Sequence, residues 1–314
     1  MTSRTAPRSE RSERAERAER SRPWATLAVH HPADVIPVPG GLDPNGPRVT
    51  VVIPTKNEAR NLPWVFDRLP AGVAEVILVD AQSTDGTVEL ARSLRDDVVV
   101  IQQTRRGKGN ALACAFEVAT GDILVMLDAD GSAHPAEILR FVRALEDGAD
   151  FAKGSRFLRG GGSADITRVR RWGNAVLSGL VNRLFGTRFT DLCYGYNAFW
   201  AHCLPYLELP AVSGAEPVAG DGFEIETLIN VRVAQSPLVV TEVASYESSR
   251  LHGVSNLNAI RDGWRVLRVI LAERRLSRRP DRDAAPAAVF VPYPTEPPPD
   301  EFGKRRMAYV EDVA

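Results

Sequence analysis

Residues 123–131 read Ile123-Leu124-Val125-Met126-Leu127-Asp128-Ala129-Asp130-Gly131, an apolar run of strand length that ends in two carboxylates one residue apart and a glycine. Side chains alternate along an extended chain, so Asp128 and Asp130 are expected on the same side at the strand's end. Two hard oxygen donors so placed suit Mg2+ or Mn2+, and such an ion suits a phosphate-bearing substrate. An isolated Asp-x-Asp is more often only a polar turn after a core strand. The rest of the chain decides between the two readings.

Outward from this stretch the pattern alternates. Apolar runs at 49–53, 74–79, 98–101 and 150–152 are separated by helical stretches through Trp64, Val65 and Leu69, and over 87–94, 111–119 and 136–145. Strand and helix in alternation predict an α/β fold: a mostly parallel central sheet with helices on both faces. Ligands of such sheets sit at the carboxyl ends of the strands. The polar clusters fall there: Pro54-Thr55-Lys56-Asn57-Glu58 after the first run, and Asp80-Ala81-Gln82-Ser83-Thr84-Asp85-Gly86-Thr87 after the second. Asp80, directly at a strand end, is placed to accept hydrogen bonds from a base N–H or a ribose hydroxyl, whereas Asp85 or Thr84 can cap the helix beginning near Thr87. Arg105-Arg106-Gly107-Lys108-Gly109-Asn110 opens a further helix; its glycines are expected to let the backbone approach a diphosphate, with Arg106 and Lys108 supplying charge. A dinucleotide fingerprint is excluded, because position 112 is Leu and the motif follows the wrong strand.

The 314 residues carry 39 basic and 40 acidic side chains, a formal charge of −1, so no nucleic-acid partner is indicated. Cys114, Cys193 and Cys203 lack metal or redox spacing and suit a reducing, cytoplasmic setting. No apolar run reaches membrane-spanning length. Residues 1–47, with their Ser/Ala-Glu-Arg repeats and then Pro and Gly, are expected to be a disordered tail and linker. Residues 277–314 read as a Pro-rich tail, which leaves 48–276 as the folded unit.

Taken together, Ile53-Pro54-Thr55-Lys56-Asn57-Glu58, Val79-Asp80 with Ser83-Thr84-Asp85-Gly86-Thr87, Gly107-Lys108-Gly109, Asp128-Ala129-Asp130 and Gly154-Ser155-Arg156 resemble the inverting family-2 glycosyltransferases of the GT-A type. The branch most resembled is that of the polyprenyl-phosphate, or dolichyl-phosphate mannose, synthases. The resemblance covers about residues 49–275. It implies a GT-A nucleotide-diphospho-sugar transferase fold with a donor half (48–156) and an acceptor half (157–276). It also implies donor-binding roles for Pro54, Thr55, Glu58, Asp80, Asp85, Lys108, Asp128, Arg156 and Arg250, and a metal held by Asp128 and Asp130. Many relatives have a second acid where this chain has Ala81, which loosens any inference about the base.

In the second half, Thr190-Asp191-Leu192-Cys193-Tyr194-Gly195 resembles the family's acceptor-side Asp-x-x-x-Gly segment, and Ser249-Arg250-Leu251-His252-Gly253-Val254-Ser255-Asn256 its Arg-x-x-Gly-x-Ser loop over the donor phosphates. Arg250 suits phosphate oxygens through its guanidinium. His252 is either a third metal ligand or a hydrogen-bonding loop residue. An inverting transfer needs a base or an electrostatic partner on the acceptor side, for which Asp191, Asp221, Glu224 and Glu226 are candidates. Against this, Asp221 can be a helix cap and Glu226 part of a solvated helix face. A helix over 257–275 sets Arg261, Arg265, Arg268 and Arg275 opposite an apolar face, a basic surface suited to anionic headgroups.

The expected function is therefore hexosyl transfer from GDP-mannose or a UDP-hexose to a lipid-phosphate acceptor, with Mg2+ or Mn2+, in the cytoplasm and peripherally at the inner face of the cell membrane. Transfer to a saccharide or small soluble acceptor of cell-envelope polymer synthesis, or nucleotide-sugar binding without turnover, are the alternatives.

Overall fold

The computed structural model describes residues 40–253, 259–277 and 287–292. Seven of its strands are β1 (Val49–Thr55), β2 (Glu75–Asp80), β3 (Val99–Gln102), β4 (Ile123–Met126), β5 (Phe151–Ser155), β7 (Asn197–Trp200) and β8 (Val239–Ala244). With β10 (Val289–Val291) they form one sheet in the order β10-β8-β5-β7-β4-β1-β2-β3. All neighbours run parallel except β7, which is antiparallel to both β4 and β5. A two-stranded ribbon pairs β6 (Gly162–Ser163) with β9 (Tyr246–Glu247).

The helices are α1 (Leu62–Asp67), α2 (Thr87–Leu94), α3 (Lys108–Val118), α4 (Ile138–Glu146), α5 (Arg168–Phe185), α6 (Leu204–Leu207), α7 (Ile225–Ala234) and α8 (Ala259–Ser277). Because the central strands are covered on both faces, they are apolar throughout, and alternation divides them between two cores. Val52, Leu124 and Met126 face α3, α7 and α8 in one core; Val51, Ile53, Ile123 and Val125 face α1 and α4 in the other.

The expected α/β architecture is thus present. β7 is the departure from simple alternation. Phe199 holds it in place, stacking on Phe151 and meeting Phe116 edge-on, with ring centroids 5.4 Å apart in both cases. Of the two stretches read as tails, 1–39, 278–286 and 293–314 lie outside the described residues. Leu42, in the stretch read as a linker, donates its N–H to the Ala71 carbonyl at 2.9 Å. Residues 289–291, in the stretch read as a Pro-rich tail, add a strand to the edge of the sheet.

Candidate active site

A cleft of about 940 Å³ opens at the carboxyl ends of β1, β2 and β4. Pro54 and Thr55 come from the end of β1 and Glu58 from the segment after it, Asp128 and Asp130 from the turn after β4, Lys108 from the start of α3 and Arg250 from the segment after β9; all line it. Positions read from four separate stretches of sequence are therefore brought together. Lys56, Arg105, Arg106, Arg261 and Arg265 also line the cleft, so its basic side chains outnumber Glu58, Asp128 and Asp130. That balance suits a ligand with several phosphate charges.

The two aspartates are each paired with a cation. Lys108 Nζ lies 2.6 Å from Asp128 Oδ1 and 2.6 Å from Glu226 Oε1, forming a bridge between the halves of the chain. Arg250 Nη1 lies 2.9 Å from Asp130 Oδ2, while the Ser132 N–H donates to Asp130 Oδ1 at 2.9 Å. Asp128 is 42% exposed at its side chain and Asp130 only 6%, so one carboxylate is open to the cleft and the other is a largely buried part of its wall. Burial, and then the Asp128 charge, push the Asp130 carboxyl up; Arg250 opposes them. Burial alone would lower the Lys108 ammonium, but Asp128 and Glu226 hold it well above the usual lysine range. Glu58 is pushed up to about 7, mainly by burial and further by Asp130 and Asp128; Asn61 Nδ2 donates to it at 2.5 Å and opposes the rise.

The turn after β4 has its shape for two local reasons. Gly131 sits at φ 73°, and a Cβ there would come within 2.5 Å of Leu251 Cδ1. Glu247 forms a bridge with Ala133, the Ser248 N–H donates to the Ser132 carbonyl at 2.8 Å, and the Leu251 N–H to the Asp130 carbonyl at 3.2 Å. The segment carrying Arg250 is thereby laid along the Asp130 turn.

The glycines of Gly107-Lys108-Gly109 have a different cause from the one expected. A Cβ on Gly107 would lie 2.0 Å from the Asp221 carbonyl oxygen and one on Gly109 1.8 Å from that of Gly220. Gly109 N–H donates to the Asp221 carbonyl at 2.7 Å. The close approach they permit is to the acceptor half's own backbone, which fixes Lys108 in the cleft.

The other expected residues lie around this cleft without lining it. Asp80 is buried and accepts from the Ser83 N–H at 3.1 Å and from Gln102 Nε2 at 3.1 Å, beneath the cleft-lining Ala81 and Gln82. Asp85 accepts from the Thr87 N–H at 3.1 Å and the Ala59 N–H at 3.1 Å, which ties the post-β1 and post-β2 loops together. Arg156 grips Asp191 with Nε–Oδ2 at 2.7 Å and Nη2–Oδ1 at 3.0 Å, and reaches Glu247 at 3.0 Å. Burial opposes ionisation of Asp191, but Arg156 holds its carboxyl below the usual range. Asp221 is gripped likewise by Arg105. Glu224 accepts from the Gly220 and Gly222 N–H groups, each at 3.3 Å, and its other oxygen is buried with no protein partner among the described residues. Glu226 is buried in its pair with Lys108, not solvated; burial and Asp128 raise its carboxyl while Lys108 opposes them.

The His252 carbonyl accepts from Asn61 Nδ2 at 3.3 Å, and no group of three or more His, Cys, Asp or Glu side chains among the described residues is gathered as a metal site. Val254, Ser255 and Asn256 lie outside the described residues. Sequence reasoning missed Arg261 and Arg265 as cleft residues. The i, i+4 spacing placed them on one face of the terminal helix, but only the packing of α8 against α7 turns that face to the cleft.

A sequence profile for glycosyl transferase family 2 matches residues 50–203. Glycosyltransferase AglJ of Haloferax volcanii is 34% identical over 225 residues, 70% of this chain and 70% of that protein. Polyprenol monophosphomannose synthase of Mycolicibacterium smegmatis is 34% identical over 225 residues, 67% of this chain and 81% of that one. Undecaprenyl-phosphate mannosyltransferase of Micrococcus luteus is 31% identical over 224 residues, 66% and 89% respectively. Among solved structures, glucosyl-3-phosphoglycerate synthase from Mycobacterium tuberculosis, in complex with Mn2+, uridine diphosphate and glucosyl-3-phosphoglycerate, superposes with a TM-score of 0.55. At 24% identity, and covering 73% of this chain and 81% of that one, it shows a shared GT-A fold.

Proposed function

This chain belongs to glycosyl transferase family 2, and from that premise we propose that it moves a hexose from a nucleoside diphosphate sugar to a polyprenyl phosphate, with inversion and with a divalent cation. The observation that carries the reading is the convergence of Asp128 and Asp130 with Lys108 and Arg250 in a cleft whose basic residues outnumber its acidic ones. A donor diphosphate and an acceptor phosphate together bring the negative charge that such a cleft lacks. The names of the relatives, a mannosyltransferase and a phosphomannose synthase, favour a mannosyl donor.

Under this reading Pro54, Thr55 and Glu58 take the nucleoside, with Asp80 supporting the loop beneath it, and Lys108 and Arg250 take the diphosphate. Asp128 and Asp130 fit a magnesium or manganese ion: both are hard carboxylate donors, and the buried Asp130 requires a cationic neighbour. Such an ion, when bound, neutralises charge on the leaving diphosphate. An acceptor phosphate is already ionised, so no strong base is needed. Asp191 and Asp221, each committed to a buried arginine, shape the acceptor half; Glu226 reaches the cleft through Lys108 and orients that ammonium.

A second feature favours a lipid-linked acceptor. α5 and α8 pack on each other, and each exposes a tryptophan: Trp172 is 71% and Trp264 61% exposed. Val169 and Val176 flank the first, Leu271 follows the second, and Arg171 and Arg268 lie exposed on the same two helices. Exposed indoles among arginines suit the interface of an anionic membrane. Trp264 stands on the helix whose Arg261 and Arg265 line the cleft, so a lipid phosphate at that surface has cationic side chains leading inward. No helix among the described residues is long and apolar enough to cross a membrane. A thermal-shift screen of GDP-mannose, UDP-glucose and related donors with Mn2+ tests the donor assignment, since a ligand of the folded state raises Tm by mass action. No shift with any nucleotide sugar contradicts it.

A further inference from the structure

The same two carboxylates that suit a divalent cation are already neutralised by the protein's own side chains. Asp128 shares Lys108 with Glu226, and Asp130 is held by Arg250. Both cations stand on fixed backbone. Lys108 is flanked by Gly109, whose N–H is bonded to Asp221, and Arg250 lies between Ser248 and Leu251, both bonded to the 130–132 turn. What remains free to move is the tip of each long side chain. Both residues line the cleft, as do Asp128 and Asp130, so either tip can reach a ligand there without a backbone rearrangement.

We propose that Lys108 and Arg250 are exchangeable counter-ions: they neutralise Asp128 and Asp130 in the free protein and release them to a divalent cation as they move onto the donor's diphosphate. This rests on reading the cleft as a nucleotide-sugar site. An ionised Asp130 is too buried to stand without a positive partner, so as a carboxylate it holds either Arg250 or the ion. An ion arriving alone must displace Arg250, which then has no anion to take, and leave Lys108 with Glu226 alone. A nucleoside diphosphate arriving alone brings charge that competes for Lys108 and Arg250 and strips the carboxylates. Each ligand therefore removes the cost that opposes the other, and the coupling is reciprocal. The consequence is a site that stays closed to free divalent ions and binds ion and nucleotide together.

The test is Mn2+ binding by titration calorimetry to the full chain, with and without UDP or GDP, in the wild type and in Arg250→Gln, Lys108→Gln, Lys56→Gln and Asp130→Asn. Each variant is first checked for cooperative thermal unfolding. In the wild type, the better-binding nucleotide is expected to tighten Mn2+ by a factor on the order of 5- to 150-fold. Arg250→Gln and Lys108→Gln should bind Mn2+ tighter than wild type without nucleotide, and lose most of that coupling. Lys56→Gln, which removes a cleft charge not paired with either carboxylate, should tighten free Mn2+ by less than either of them does. If Arg250→Gln and Lys108→Gln bind free Mn2+ no tighter than Lys56→Gln does, the exchange is overturned while the metal site stands. If Asp130→Asn binds Mn2+ as wild type does in the presence of nucleotide, the metal assignment fails and the exchange fails with it.

Discussion

Arg105 holds Asp221 in a two-pronged ion pair, Nε to Oδ2 at 2.8 Å and Nη2 to Oδ1 at 2.9 Å, across 116 positions of sequence. Both side chains are buried. The pair joins the loop that leads into Lys108 to the loop that presents Gly222 and Phe223 to the cleft, so the two halves of the site share one fastening.

Removing one partner of such a pair strands the other charge. Arg105→Ala is expected to destabilise the fold by about 3–5 kcal/mol. Urea unfolding measures this, and a loss below about 1 kcal/mol, the range of a surface pair, would contradict the buried clamp.

Gly109→Ala tests the same junction without touching a charge. The added methyl would lie 1.8 Å from the Gly220 carbonyl oxygen, which is backbone and has little room to yield. A loss of about 1–3 kcal/mol is expected from the overpacking. Because the shift also moves Lys108, nucleotide affinity should fall in parallel; an alanine variant with wild-type Tm and wild-type nucleotide affinity contradicts the packing described.

Glu58 makes stability depend on pH with a definite sign. Its carboxyl lies at about 7 in the fold against an ordinary 4.5, so the folded state keeps a proton that the unfolded chain has already released between those values. The stability it contributes is complete below pH 4.5 and is lost as pH rises through 7. Glu58→Gln, neutral throughout and still able to accept from Asn61, should therefore gain on wild type between pH 4.5 and 8. Urea midpoints at the two pH values check this, and an unchanged difference refutes it.

The donor half was legible because each of its strands is an apolar run ending in a polar cluster, and all of β1, β2 and β4 point their carboxyl ends the same way. Pro54, Glu58, Lys108, Asp128 and Asp130 could thus be gathered in advance. The acceptor half was not so legible, because its carboxylates differ by partner, and partners are long-range. Nothing near Asp191 in sequence announces Arg156, nor near Asp221 announces Arg105. Glu226 read either as a candidate base or as part of a solvated helix face, because its cation lies 118 positions away. β7, no shorter than β3 or β4, was hidden because it breaks the alternation of strand and helix, and β10 by the prolines around it.

The exposed tryptophans predict membrane contact. Flotation with vesicles containing phosphatidylglycerol should capture the wild type and release it at high salt, since part of the attraction is electrostatic. Trp172→Ala with Trp264→Ala should weaken capture by about tenfold or more, corresponding to about 1.4 kcal/mol. Equal capture of both proteins would mean that these helices do not meet the lipid.

Hexosyl transfer to a lipid phosphate is directly measurable. Incubating the protein with Mn2+, polyprenyl phosphate and radiolabelled GDP-mannose, with UDP-glucose in parallel, and then extracting with organic solvent, reads it directly. The prediction is label in the organic phase with one of the donors, lost with chelator and reduced at least tenfold in Asp130→Asn, the scale of about 1.4 kcal/mol in the barrier. Label found only in water-soluble product, or an unchanged rate for Asp130→Asn, would contradict it.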